Sequence, residues 1–147
     1  SPLQHAPDRL DDLGEEGLNL GPTRPDHGFE PHLAVAINAY RDVAGTIEVL
    51  TTLTTDAFFQ TATGEMINVG DRCSLFSSWG IDLNDNDQMV GMTFEGAFVY
   101  NHLSGTCAPL NNIDNWRPFR PIAIDNNNVK LVYMANDDDN YAWALLQ

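Results

Sequence analysis

The amino-acid sequence predicts a mainly β protein: an antiparallel sandwich or barrel of six to eight short strands, with one flanking N-terminal helix. Three observations favour this class. Several short runs are rich in β-branched and aromatic residues, compact turns rich in Asn, Asp and Gly separate them, and only one stretch has helical spacing. The 147 residues are enough for one domain with a buried core but few for a second full domain.

Residues 1–32 differ in composition from the rest of the chain. They hold five of the eight prolines, and seven acidic against two basic residues. This composition predicts an extended acidic arm rather than a packed unit. We therefore expect residues 33–147 to form a single β-rich domain and the arm to contact a partner.

The predicted helix follows the arm. Apolar residues from Leu33 to Ile47 recur at spacings of four, three, four and three, and Pro31 suits the first turn of a helix. We predict a helix over residues 31–44. A glycine then breaks the pattern, and the β-branched run TIEVLTTLTT predicts a strand over residues 46–54.

Two cysteines flank the most strand-like part of the chain. Between Cys73 and Cys107, the run from Met89 to Tyr100 predicts a strand pair, with an acidic turn over Asp82 to Gln88. We predict a disulfide between the two cysteines, which would stabilise the fold by about 4 kcal/mol in the chain-entropy model. Such a bond indicates an oxidising compartment, and hence a secreted or extracellular protein.

The remaining segments are short. MINVG and CSLFSSW read as strands, and the prolines of NWRPFRP indicate a loop. PIAID, VKLVYMA and YAWALLQ then predict a three-stranded meander, joined by polar turns at Asn126 to Asn128 and at Asp137 to Asn140. The sequence suggests no internal repeat.

The charge narrows the class of partner. Seven basic against 21 acidic residues give a formal net charge of -14, which disfavours nucleic acid and anionic membrane surfaces. No apolar run approaches the roughly 20 residues that span a bilayer. We therefore expect a protein partner or self-assembly, with no nucleic acid and no membrane insertion.

The acidic turn is a candidate site for weak calcium binding, because hard cations prefer carboxylate and amide oxygens. Its spacing matches the calcium-loop pattern in part: Asp87 stands in place of the turn glycine, and Thr93 in place of the bidentate glutamate. A solvated hairpin turn explains the same residues, since Asn and Asp favour turns. The predicted metal ligands are Asp82, Asn84, Asp85 and Asp87.

A ligand site is predicted where aromatic and cationic side chains coincide. Trp116 lies beside Arg117 and Arg120, two of the few positive charges of the chain, so an anionic group would be attracted there. Trp79 adds aromatic surface that could stack on a ligand, although tryptophan is also common in cores. No residue order indicates a catalytic group. His102 lies near Ser104 and Cys107, but a nucleophilic Ser or Cys needs a base oriented by a third group, and the order of residues shows no such arrangement.

Two short motifs resemble those of ligand-binding barrels. CSLFSSWGIDL resembles the opening of avidin-type barrels at Cys73, Ser74, Leu75, Trp79, Asp82 and Leu83. DDDNYA resembles a late strand motif of lipocalins at Asp137, Asp139, Asn140, Tyr141 and Ala142. The resemblance implies a small-ligand-binding β-barrel of the calycin type. Because only 64 residues follow Leu83, too few for the remaining strands of the first family, we assign the chain to neither.

Three functions thus follow from the sequence. The first is a secreted or extracellular, non-enzymatic binding or assembly module, the second a small-ligand barrel, and the third an acidic hydrolase. An enclosed apolar cavity would favour the barrel, and a cleft holding a perturbed carboxylate pair would favour the hydrolase.

Overall fold

The structure, a computed structural model, describes residues 29–147, which form eleven antiparallel strands and one short helix. The strands make three sheets in which every strand pairs with its neighbour along the chain. The mainly β class is confirmed. A barrel is wrong for the described residues, because the three sheets remain separate and do not close.

Sheet 1 contains β1 (Phe29–Ile37), β2 (Val43–Val49), β3 (Thr54–Gln60) and β4 (Met66–Asn68), and is followed by the short helix α1 (Val69–Arg72). Sheet 2 contains β5 (Trp79–Leu83), β6 (Gln88–Thr93), β7 (Gly96–Asn101) and β8 (Thr106–Pro109). Sheet 3 contains β9 (Arg117–Ile124), β10 (Lys130–Ala135) and β11 (Tyr141–Leu146).

The predicted helix over residues 31–44 is wrong, because this segment forms β1, a tight turn and the start of β2. Arg41 adopts a left-handed backbone with φ 68°, which a helix does not tolerate. β-Bulges in the pairing of β1 with β2 offset the strict alternation of a strand. The resulting spacing of apolar residues resembles that of a helix. β1 also begins at Phe29, within the range assigned to the arm, and the rest of the arm lies outside the described residues.

Three further predictions need correction. The single strand predicted over residues 46–54 is wrong, because β2 ends at Val49 and β3 begins at Thr54. CSLFSSW is mostly irregular, since β5 begins only at its last residue, Trp79. The proline segment belongs to β9 and is not a loop. Pro118 and Pro121 fit there because β9 is an edge strand, and the pairing is irregular beside each of them. The predicted strand pair over Met89 to Tyr100 and the final meander are both confirmed.

Four hairpins share one turn geometry that the sequence did not reveal. Their five-residue turns begin at Asn38, Asn84, Asp125 and Asn136, and in each turn the side-chain oxygen of this first residue accepts hydrogen bonds from the backbone N–H groups two and four positions later. The fourth residue of each turn has a positive φ of 58° to 68°. This is the three-residue hairpin loop, a type I turn followed by a left-handed residue.

The repeat extends into the strands. The first three of these hairpins carry a bulge three residues before the turn, at Val35, Ile81 and Ile122, whereas the β10–β11 hairpin pairs without a bulge. The register on both sides of the bulge is the same in all three hairpins. The chain therefore contains a structural repeat in which β1–β2, β5–β6 and β9–β10 are equivalent.

Sheet 2 lies between the other two sheets. Its Leu83, Met89, Phe98 and Tyr100 share one buried cluster with Ala44 and other residues of sheet 1 and α1. On its other face, β9 lies against β5, β6 and β7, and the Asp82 side chain accepts a 2.9 Å hydrogen bond from the Ile124 N–H of β9. The core is thus formed at two junctions between sheets.

Glycine permits close packing of an aromatic ring at one equivalent position in the first two hairpins. A Cβ built on Gly45 would lie 2.7 Å from the Phe58 ring, and one on Gly91 would lie 2.6 Å from the Phe98 ring. Each glycine pairs with that phenylalanine across the strands. The rings therefore lie over the backbone where any side chain would collide with them.

The predicted disulfide between Cys73 and Cys107 is confirmed, with Cα atoms 6.0 Å apart. Cys73 follows α1, and Cys107 lies on β8. The bond therefore ties the end of the sheet 1 segment to the edge strand of sheet 2. Both sulfur atoms pack at the margin of the buried cluster.

Candidate functional site

The three equivalent turns meet at one end of the molecule and join through repeated hydrogen bonds. The Asn38 Nδ2 group donates to the Asn84 carbonyl at 3.1 Å, and the Asn84 Nδ2 group donates to the Asp125 carbonyl at 3.0 Å. Each turn therefore binds the equivalent residue of the next turn. The third turn begins with an aspartate, whose side chain has no N–H group to donate a further hydrogen bond of this kind.

A second series of contacts runs beside the first. The Ala39 N–H donates to Asp85 Oδ1 at 2.7 Å, and the Asp85 N–H donates to Asn126 Oδ1 at 2.8 Å. These residues occupy the second position of their turns. Much of the acidic turn is consequently engaged in holding the hairpins together, which the sequence could not indicate because the partners lie about 40 residues or more away.

We call the contact region of the turns 38–42, 84–88 and 125–129 the turn junction. It contains Asp87, a carboxylate with a raised pKa. Burial raises the pKa of its carboxyl from 3.8 to about 7, and the hydrogen bond and negative charge of Asp42 add to the rise. The Asn38 Nδ2 group donates to Asp87 Oδ1 at 2.9 Å and lowers this pKa in part. Near neutral pH the Asp87 carboxyl is therefore protonated for much of the time.

The predicted metal ligands do not converge on one point. Asp82 accepts from β9, Asp85 accepts from Ala39 and Asn126, and Asp87 accepts from Asn38. The Asn84 side chain bonds within its own turn and to Asp125. No group of three or more His, Cys, Asp and Glu side chains suited to a metal occurs among residues 29–147. Calcium binding at this turn stays a prediction.

The four predicted ligand-binding residues do not form one site. The half-buried Trp79 ring packs edge-on against Phe94, with ring centroids 5.2 Å apart. Trp116 is held in a backbone bridge to Ile113. The Arg117 guanidinium lies 6.0 Å from the centroid of the Phe119 ring, a cation–π distance. Of the predicted set, Trp79, Trp116, Arg117 and Arg120, only Arg117 lines the open groove beside the Cys73–Cys107 disulfide.

An open groove of about 550 Å³ lies beside the disulfide. Its walls include Leu75, Phe98 and Pro118, and its charged residues are Glu95 and Arg117. The one positive charge in the groove is accompanied by a negative charge, so no strong preference for an anion results. The groove is a surface depression of mixed polarity rather than an enclosed apolar cavity.

His102 takes part in packing and not in a nucleophile and base pair. Its ring stacks on Phe59, with centroids 4.3 Å apart, and its Nδ1 lies 3.1 Å from the Tyr100 hydroxyl. Burial raises the pKa of Tyr100, while the charge of Arg72 lowers it. Cys107 is in the disulfide, so it offers no thiolate for catalysis.

A contiguous exposed aromatic surface lies on the outer face of sheet 3, defined by Leu131, Tyr133, Tyr141, Trp143 and Leu145. Tyr133 pairs with Trp143 and Leu131 pairs with Leu145 across the strands, so their side chains share one face. Tyr141, Trp143 and Leu145 are each more than 60% exposed, and Tyr133 is 43% exposed. A patch of this kind is unusual on a surface that only faces water.

The sequence alone did not identify this face as a site. Its signal was the alternation of large apolar residues in YAWALLQ, which keeps Tyr141, Trp143 and Leu145 on one side of a strand. Without the sheet order, either side of that strand could have been the buried one.

None of the helices in the described part of the chain has the length and apolar character needed to cross a membrane. Comparisons of the chain with protein-family models, with curated proteins and with solved structures found no match.

Proposed function

We propose that the protein is a secreted or extracellular, non-enzymatic β-rich module for binding or assembly, and that the outer face of sheet 3 contacts its protein partner. One observation carries the proposal: this face presents two tyrosines, a tryptophan and two leucines, most of them largely exposed. Aromatic residues on a regular, rigid sheet are typical of interface cores.

The electrostatics are compatible with a protein partner. A net charge of -14 opposes binding to polyanions, whereas the outer face of sheet 3 can bury apolar area at little electrostatic cost. The disulfide supports an oxidising compartment. The arm of residues 1–32 is part of the proposal, since a Pro-rich acidic segment contacts partners more readily than it packs in a core.

The two alternatives have less support. A hydrolase would require a perturbed carboxylate pair in a cleft, but Asp87, whose pKa is raised, lies outside the groove and joins two hairpins through Asn38. A small-ligand barrel would require an enclosed cavity, but the groove beside the disulfide is open. The binding module needs neither feature.

The experiment compares capture of proteins on immobilised wild-type chain and on the variant Tyr141→Ser/Trp143→Ser. Both residues are exposed, so the variant should keep its stability. We expect a partner, including any added second copy of the chain, to be retained by the wild type and lost from the variant. Equal retention on both would contradict a role for this face. A chain that lacks residues 1–28 tests the arm in the same assay.

A further inference from the structure

We propose that a second copy of this chain docks on the outer face of sheet 3 and does so with its own β1, head to tail. The inference rests on the proposed function and deepens it, since it names the partner. The structural repeat supports this contact, because two junctions of the same kind already exist within the chain.

The two internal junctions have the same construction. β5, the first strand of the second hairpin, lies against β1, β2 and β3; β9, the first strand of the third hairpin, lies against β5, β6 and β7. In each case the first strand of one repeat covers the face of the preceding sheet. By the same rule, the outer face of sheet 3 should be covered by the first strand of a further repeat. In a second copy of the chain, the strand equivalent to β5 and β9 is β1.

The exposure of equivalent residues indicates that β1 forms one side of the proposed junction between two chains. The residue just before the turn is Leu83 in the second hairpin and Ile124 in the third, and each is 6% exposed because it packs on the preceding sheet. The equivalent Ile37 is 57% exposed. β1 therefore presents, uncovered, the side chain that fills an internal junction elsewhere.

The other half of the junction lies on sheet 3. The sixth residue after the start of the turn is Ala44 in the first hairpin and Val90 in the second, and both are fully buried beneath the following strand. The equivalent Leu131 is only half-buried, and its neighbour on that face, Tyr133, is 43% exposed. Sheet 3 thus leaves exposed the face that, in sheets 1 and 2, is covered by the following sheet.

The polar contacts predict that this junction is weaker than the internal ones. Asp125 lacks the N–H group with which Asn38 and Asn84 bind the next turn, and Ala39 lacks the side-chain oxygen that Asp85 and Asn126 supply. The contact would depend on apolar area alone, against repulsion between two chains of net charge -14. Association should therefore strengthen as salt screens the charges.

A head-to-tail contact uses two different surfaces, so the assembly closes as a ring or continues as a fibre, and one blocked surface stops it. The first experiment uses Trp143→Asp to block sheet 3 and Ile37→Asp to block β1; both side chains are exposed. Leu103→Asp, at a residue 75% exposed in the β7–β8 loop, is the control. Sedimentation at high ionic strength measures the mass of each chain over a range of concentrations.

We expect the wild type and the Leu103→Asp control to associate, and each blocked variant alone to bind at least about tenfold more weakly. An equimolar mixture of the two blocked variants should form a dimer, because each retains the surface that the other lacks. Association of the Ile37→Asp chain at wild-type strength would indicate a symmetric contact between two sheet 3 faces and would overturn the proposal. A wild type that stays monomeric would overturn it as well.

The second experiment adds the missing polar contacts. The double variant Ala39→Asn/Asp125→Asn gives the first turn the acceptor found at Asn126 and gives the third turn the donor found at Asn84. We expect at least about a tenfold gain in association, and no gain would count against the repeat geometry of the junction. If the chain does not self-associate but the outer face still retains another protein in the capture assay, the inference fails and the proposed function stands.

Discussion

Replacing Asp87 by asparagine should stabilise the protein at neutral pH. The new amide side chain would keep an oxygen for the Asn38 N–H group and would offer Asp42 an N–H donor in place of the Asp87 carboxyl. Asparagine also suits the left-handed backbone of this residue, which has φ 58°. The substitution removes the carboxylate charge, whose burial destabilises the folded state, and keeps the geometry of the turn.

The size of the effect follows from the pKa. The rise from 3.8 to about 7 corresponds to about 4 kcal/mol of lost stability when Asp87 is fully ionised, at about 1.4 kcal/mol per pKa unit. The side chain is only half-buried, and solvent screening reduces this figure, so we expect a gain of about 1 to 2 kcal/mol. For a domain of this size the melting temperature should rise by about 2 to 8 °C.

The gain should depend on pH in one direction. Below about pH 4, Asp87 is protonated in both the folded and the unfolded chain, so the substitution gains nothing. Between pH 4 and pH 7 the unfolded chain loses the proton while the folded chain keeps it, so the wild type loses stability as pH rises. The advantage of the variant should be complete above pH 7.

Urea denaturation of both proteins between pH 4 and pH 8 measures this difference. The matched control is Asp139→Asn, since Asp139 occupies the same turn position with φ 60° but is exposed. This control reports the preference of asparagine for the left-handed backbone and the loss of one surface charge. The reasoning would be refuted by a gain at pH 8 no larger than that of the control, or by a gain of equal size at pH 4.

Three further predictions concern the core, the disulfide and the acidic turn. Gly91→Ala should cost about 1 to 3 kcal/mol, because its Cβ would lie 2.6 Å from both the Phe98 ring and the Trp79 carbonyl; a denaturation midpoint unchanged from the wild type would show that the ring moves freely. Cys73→Ser/Cys107→Ser should lower the free energy of unfolding by about 4 kcal/mol, as measured by urea denaturation. Stability equal to that of the wild type would mean that the bond does not stabilise the fold by lowering the chain entropy of the unfolded state. Millimolar calcium at matched ionic strength should raise the melting temperature of the wild type but not of Asp85→Asn/Asp87→Asn; a shift that survives in the double variant would reflect general screening of the net charge.

Local patterns predicted the strands where the chain alternates or is rich in β-branched residues, as in VKLVYMA and YAWALLQ. They failed where a bulge changes the period, and the helix predicted over residues 31–44 arose from such a place. Pro118 and Pro121 misled for a related reason, since a proline is acceptable in a strand only if that strand lies at an edge. Edge position is a property of the assembled sheet and has no local signature.

The candidate sites depended even more on contacts distant in sequence. The acidic turn was correctly recognised as unusual, but its carboxylates are explained by Asn38, Ala39 and Asn126, which lie in other hairpins. The structural repeat escaped detection because equivalent positions hold different side chains, such as Arg41, Asp87 and Asn128 at the left-handed residue. What they share is backbone conformation, which several residue types adopt in turns.

The order of strands within the sheets has a consequence for folding. Every pair of neighbouring strands is consecutive in the chain, and the loops between them contain two to five residues. Closing such short loops costs little chain entropy, so each sheet can form early and by itself. The slow step should then be the docking of preformed sheets, in which the turn junction sets their relative register. A substitution at Asn84 should accordingly slow folding more than one of equal cost within a sheet, since the Asn84 side chain donates to the Asp125 carbonyl and so joins the second turn to the third.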